Sequence, residues 1–173
     1  EFFGFLIGGH QYFPELWTLN DLSEVNGQWD GYKTKLMRNN GRVEESEYLT
    51  DALSREAVSF IERHADQEPF FMYLAYNAPH TPLQATDKYL QRFAHIEDED
   101  RRTYAAMVSA VDDGVGKVLD KVESLGITEN TMVFFLSDTF YLCQIKLLFK
   151  FTIFLSISCY SFSISITNSG QFS

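Results

Sequence analysis

The sequence predicts an α/β fold with a mainly parallel sheet, and three stretches carry that expectation. Phe70-Phe71-Met72-Tyr73-Leu74-Ala75-Tyr76 and Thr131-Met132-Val133-Phe134-Phe135-Leu136-Ser137 are short apolar runs, the pattern of strands buried on both faces. Between them, Tyr104, Met107, Val108, Val111, Val115, Val118, Leu119 and Val122 keep helical spacing. Strand, helix, strand in that order builds half of a parallel layer, because parallel strands are joined by a long crossover.

The elements follow in order. Residues 1–45 read as irregular, with turn signals at Gly8-Gly9-His10, Trp29-Asp30-Gly31 and Asn39-Asn40-Gly41. A helix is expected from Tyr48, with Leu49, Leu53, Ala57, Phe60 and Ile61 on one face and Asp51, Arg55, Glu56, Glu62 and Arg63 opposite. Pro69 opens the first strand, which ends in Asn77-Ala78-Pro79-His80-Thr81-Pro82, a loop stiffened by two prolines. The acids Glu97 to Asp100 suit the first turn of the next helix, where they complement its dipole. Gly126 supplies its stop. The second strand ends in Asp138.

At 173 residues the chain can bury one core. A net charge of -10 with no basic cluster argues against nucleic acid or an anionic membrane surface as partner. Cys143 and Cys159 form no C-x-x-C and lie near no histidine, so neither a zinc site nor a redox motif is indicated. The opening Glu1-Phe2-Phe3-Gly4-Phe5 is already apolar and follows no signal-type segment, which suggests a start within a domain.

Past residue 140 the character changes. Residues 141–173 are rich in Phe, Ile, Leu and Ser, with Lys146 and Lys150 as their charges. The run from Phe151 to Ile166 is interrupted by serines and is short for a membrane span. A membrane tail and a translated non-coding segment are both open, and the composition favours the second. The expected domain is therefore 1–140, with a non-homologous tail at 141–173.

Ligands of open α/β sheets bind beyond the carboxyl ends of the strands. If the sheet is parallel, His80 and Asp138 both reach that edge, and they are the candidate site residues. A loop histidine is more often a surface or hydrogen-bonding residue, and an acid after a strand is more often a turn cap. Asp112-Asp113 and Gly114-Val115-Gly116 fall inside the predicted helix, so the acids read as a solvated face or a helix-end hydrogen bond and not as a metal pair, and the glycines not as a nucleotide loop. His10 reads as a structural turn position, and His64 and His95 as surface residues.

Four segments, in order, resemble the middle of the catalytic domain of type I sulfatases, closest to the arylsulfatase branch. They are Phe3-Gly4-Phe5 with Gly8-Gly9-His10-Gln11-Tyr12-Phe13, Pro69 to Tyr76 with Pro79-His80-Thr81-Pro82, Tyr104 to Gly116, and Asn130 to Asp138. The resemblance implies an incomplete three-layer α/β/α sandwich of the alkaline phosphatase-like class. It implies a sulfuric ester hydrolase in which a formylglycine hydrate attacks the sulfur of a sulfate ester beside a calcium ion. On this resemblance His80 matches the sulfate-contacting histidine that aids the leaving group, and Asp138 matches a metal ligand. The substrate would be an aryl sulfate or a sulfated glycan, and the compartment secreted, periplasmic or lysosomal.

The chain also departs from the family pattern. Thr139 stands where the family has Asn, and Phe140 where it has Gly. No cysteine lies in a C-x-P-S-R context, so this chain by itself is expected to be inactive. Two alternatives stay open: a phosphatase or phosphodiesterase of the same superfamily, and a truncated, non-catalytic pseudoenzyme. Incomplete sheets expose unpaired edges, and poor solubility of the isolated chain is expected.

Overall fold

A computed structural model describes residues 1–67, 69–137 and 162–168. The N-terminal part is an irregular layer. It carries 3-10 turns at Pro14–Leu16, Leu22–Glu24 and Asp30–Lys33 and a small antiparallel sheet of β1 (Phe3–Gly4), β2 (Met37–Arg38) and β3 (Gly41–Arg42). The Asn39-Asn40 turn between β2 and β3 uses a left-handed Asn39, with φ 52°, a conformation asparagine tolerates better than most residues.

Helix α1 (Leu49–His64) buries Leu49, Leu53, Ala57 and Ile61, the face the periodicity predicts. Its polar side is tied down by ions: Arg55 reaches Glu45 at 2.6 Å and Glu56 at 2.9 Å, while Arg38 forks onto Glu56 at 2.7 Å. After β4 (Phe70–Tyr76) come a short helix α2 (Asp87–Leu90) and a 3-10 turn at Gln91–Phe93. Helix α3 (Glu99–Ser124) follows, and Asp98 caps it by accepting from the Arg101 amide at 2.7 Å. At its other end Gly126, at φ +68°, donates to the Glu123 carbonyl at 2.9 Å while Ile127 donates to Val122 at 3.3 Å. That pair of bonds is the Schellman ending that favours glycine.

The buried face of α3 keeps Met107, Val111, Val118 and Val122 of the predicted stripe and adds small residues in place of its other members. Ala106, Met107, Ala110, Val111, Gly114, Val118 and Val122 are buried, whereas Tyr104 and Leu119 are exposed. Close packing is the cause. The Tyr76 hydroxyl, at the end of β4, meets the Ser54 Oγ of α1 at 2.9 Å. A Cβ at Gly114 would lie 2.2 Å from that Oγ and 2.5 Å from the Tyr76 hydroxyl. Only small residues admit this approach, so periodicity of large residues alone misses the contact face. Asp113, on the outer side of the helix, makes a fork with Arg92 at 2.7 Å on both oxygens and ties α3 to the turn before it.

β5 (Thr131–Ser137) and β4 run in the same direction, as the α/β pattern predicts, but they are not direct neighbours. β6 (Phe162–Asn168) lies between them, antiparallel to both, in the order β4-β6-β5. Every pairing in this sheet is therefore antiparallel, and part of the apolar tail is built into it. Residues 138–161 lie outside the described residues, so the expected join after residue 140 does too. The sheet is half covered. Phe70, Met72, Leu74 and Tyr76 are buried against the helices, while Phe71 and Tyr73 are 64% and 60% exposed on the other face. The two-sided burial expected of β4 is thus met on one side among the described residues. None of the described helices is long and apolar enough to cross a membrane.

The close approach at Gly114 yields a paired expectation. Alanine is favoured over glycine in a helix by about 0.8–1 kcal/mol, but overpacking costs about 1–3 kcal/mol. Gly114→Ala should therefore lower the thermal midpoint, whereas Gly116→Ala, which meets nothing within 4 Å, should hold or raise it. Equal effects at the two positions, measured by thermal denaturation, would contradict the crossing described.

Candidate active-site edge

Tyr76 of β4 and Ser137 of β5 both pair with Phe162 of β6, so the two strands end level at one edge of the sheet. The loop after β4 carries His80. It bends through two cis bonds, Ala78-Pro79 and Thr81-Pro82, and is held by polar contacts that the proline pattern does not announce. The His80 amide donates to the Asn77 carbonyl at 2.9 Å. The Tyr12 hydroxyl donates to the His80 carbonyl at 2.7 Å, and Asn77 donates from its side chain to the His10 carbonyl at 3.0 Å. His80 itself is half-buried.

The tautomer of His80 follows from its contact. Nδ1 lies 2.5 Å from the Thr81 carbonyl oxygen. A carbonyl can only accept, so Nδ1 carries a proton. Nε2 then holds a proton only in the imidazolium form, the form able to donate to an anionic oxygen. The Tyr32 ring stands edge-on to the imidazole, with centroids 6.2 Å apart. Gly9 makes room for Tyr32, since a Cβ there would lie 2.6 Å from its Cζ.

His10 is fully buried and serves the scaffold. Its ring nitrogens face the Gln11 carbonyl at 2.8 Å and the Thr34 carbonyl at 2.7 Å, and it stacks on Phe5 with centroids 4.8 Å apart. Burial lowers its pKa below the usual imidazole value, against the two carbonyls that favour the cation. This agrees with the structural turn role expected from sequence. His64 faces the Phe60 carbonyl at 2.8 Å and Glu1 at 3.3 Å, and His95 is exposed.

Gln84 is the residue that sequence reasoning missed. Its Oε1 accepts from the Tyr12 amide at 2.8 Å, its Nε2 donates to the Gln11 side chain at 2.8 Å, and its carbonyl accepts from the Tyr48 hydroxyl at 2.8 Å. It clasps the N-terminal segment to the far end of the His80 loop. Asn77 and Gln84 bracket that loop, and two amides flanking a double-proline turn are the one signal that could have found them.

Asp138 and Thr139 lie outside the described residues. Ser137 brings the chain to the edge where the His80 loop begins. Calcium takes six to eight oxygen ligands. Among the described residues, no three of His, Cys, Asp or Glu gather to hold a metal. The described donors by themselves do not make a calcium site. Two concavities elsewhere, about 160 Å³ beside Phe60 and Phe71 and about 850 Å³ beside Tyr48 and Lys117, are not lined by His80.

A family model described as Sulfatase matches residues 7–143. The chain belongs to the sulfatase family. Mouse N-acetylgalactosamine-6-sulfatase is 42% identical over 91 residues, covering 52% of this chain and 16% of the relative. Mouse arylsulfatase J is 27% identical over 144 residues, covering 79% of this chain and 22% of the relative. The crystal structure of Ps i-CgsB in complex with k-i-k-neocarrahexaose is 45% identical with a TM-score of 0.69, covering 77% of this chain and 31% of that one. The chain spans about a fifth of the length of these two curated relatives. As a sulfatase-family fragment it has the incomplete α/β architecture that the sequence implied.

The clasp gives a direct expectation. Gln84→Ala leaves the buried Tyr12 amide without its acceptor, at a cost of about 1–3 kcal/mol. The thermal midpoint should fall by several degrees, since about 1 kcal/mol shifts a chain of this size by roughly 2–4 °C. An unchanged midpoint would contradict the clasp.

Proposed function

We propose that this chain is part of the catalytic domain of a sulfatase that hydrolyses sulfate esters of carbohydrates, with His80 at the sulfate and Asp138 as a metal ligand. The level ends of β4 and β5 carry the reading: the His80 loop starts from the strand end beside which the chain enters Asp138. The imidazolium of His80 can neutralise charge on a sulfate oxygen, or give its Nε2 proton to the departing alkoxide as general acid. The carbohydrate class is supported by the names of the amino-sugar sulfatase relatives and by the oligosaccharide named with Ps i-CgsB. Calcium, with Thr139 in place of the expected Asn, remains part of the proposal on family grounds alone. So does a secreted, periplasmic or lysosomal setting.

The chain alone is expected to be inactive, because the formylglycine precursor lies in no segment of it. The test therefore supplies the missing parts. In mouse N-acetylgalactosamine-6-sulfatase, the matching stretch is replaced by this chain's residues, His80 included. The hybrid should release sulfate from a 6-O-sulfated amino sugar, and His80→Ala within it should lower kcat by about 10²–10⁴-fold. A folded hybrid that cleaves phosphate monoesters instead, or is indifferent to the histidine, would overturn the reading.

A further inference from the structure

The strand at the centre of the sheet comes from outside the part of the chain that matches the family. β4 and β5 lie within residues 7–143, whereas β6 lies beyond them. Adjacent strands are about 4.8 Å apart, so β4 and β5, one position removed, stand about 9.6 Å from each other and cannot bond directly. Without a strand between them, two rows of backbone donors and acceptors would be left open, the situation that recruits extended chain. β6 meets both rows over its full length, from Phe70↔Asn168 to Tyr76↔Phe162 on one side and from Thr131↔Asn168 to Ser137↔Phe162 on the other.

The described side chains of β6 follow the one-sided burial of the sheet, with one exception. Ile166 is fully buried in the core with Met72 and Val133. Asn168 is also buried, and its Oδ1 has no hydrogen-bond partner, a penalty that native cores avoid. Ser165 and Thr167 pair with Tyr73 and Phe71 on the uncovered face, the alternation of an antiparallel strand with one side packed.

We propose that the gap between β4 and β5 is a strand-acceptor site, which takes an extended seven-residue segment through backbone pairing on both sides. In this chain residues 162–168 fill it from within, as a surrogate strand held chiefly by Ile166 and by the backbone. The occupant is this chain's own segment, and the site accepts the same sequence supplied in trans. The inference is independent of the catalytic role of His80, because it concerns the middle of the sheet and not its edge.

The test is backbone hydrogen exchange on the full chain. Amides of Phe70–Tyr76 and Thr131–Ser137 should be protected, and Ile166→Asp should speed their exchange by at least about tenfold, as expected for loss of about 1.4 kcal/mol or more of local stability. A synthetic peptide of sequence Phe162–Asn168 should restore protection in the Ile166→Asp chain. Protection of both strands left unchanged by the substitution would overturn the proposal, as would a peptide without effect while α1 and α3 stay protected. A second measurement holds should the variant unfold. With Cys143 and Cys159 replaced by Ser, the pair Phe71→Cys and Thr167→Cys should oxidise to an intramolecular disulfide. The register-shifted pair Phe71→Cys and Ser163→Cys should not. The reverse result would overturn the proposal.

Discussion

The contact among Tyr76, Ser54 and Gly114 holds the described structure together. A tyrosine at the last position of β4 sends its hydroxyl to within 2.9 Å of Ser54 in α1. Burial pushes that hydroxyl's pKa up to about 12, so it remains a neutral donor. Helix α3 can close over the same point because position 114 has no side chain. Two helices and one strand are thereby locked at the end of β4 where the His80 loop begins. The loop's geometry depends on this crossing, then on the clasp from Gln84 and Tyr12.

The sheet is governed by a different constraint, the need to pair the inner rows of β4 and β5. Backbone groups do not discriminate among partners of suitable length, so an extended segment from elsewhere in the chain can satisfy them. This accounts for a central strand supplied from outside the matched residues 7–143, with Ser165 and Thr167 opposite the exposed Tyr73 and Phe71. It also accounts for the direction of pairing. Antiparallel bonding is available to a segment that arrives after β5, and nothing in the side-chain sequence of 162–168 specifies the other direction.

Much of the fold was legible because it rests on local signals. The α1 face, the Asp98 cap, the Gly126 stop and the strands β4 and β5 are all written in periodicity and end residues. The buried face of α3 was legible in Met107, Val111, Val118 and Val122 but not in Ala106, Ala110 and Gly114, small residues that periodicity of large ones passes over. β6 was not legible either. Its Phe, Ile and Ser alternation has the period of a strand, but composition drew the segment into the reading of a tail. The place of His80 in the loop after β4 was legible from the strand and its prolines. Gln84 and Tyr12 were not legible, since their role is to bond backbone groups of one another's segments and no residue pattern records that.

β4 and β5 run in the same direction and end level at one edge of the sheet. Spin labels at Thr81→Cys and Asp138→Cys, with Cys143 and Cys159 replaced by Ser, measure this directly by their separation. Strands of the same direction and level ends, two positions apart, place the labels within about 20 Å of each other once linker length is included. If β4 and β5 instead ran in opposite directions, seven residues of strand, about 23 Å, would be added. A separation beyond about 30 Å would then contradict the shared edge, and with it the pairing of His80 and Asp138 in one site.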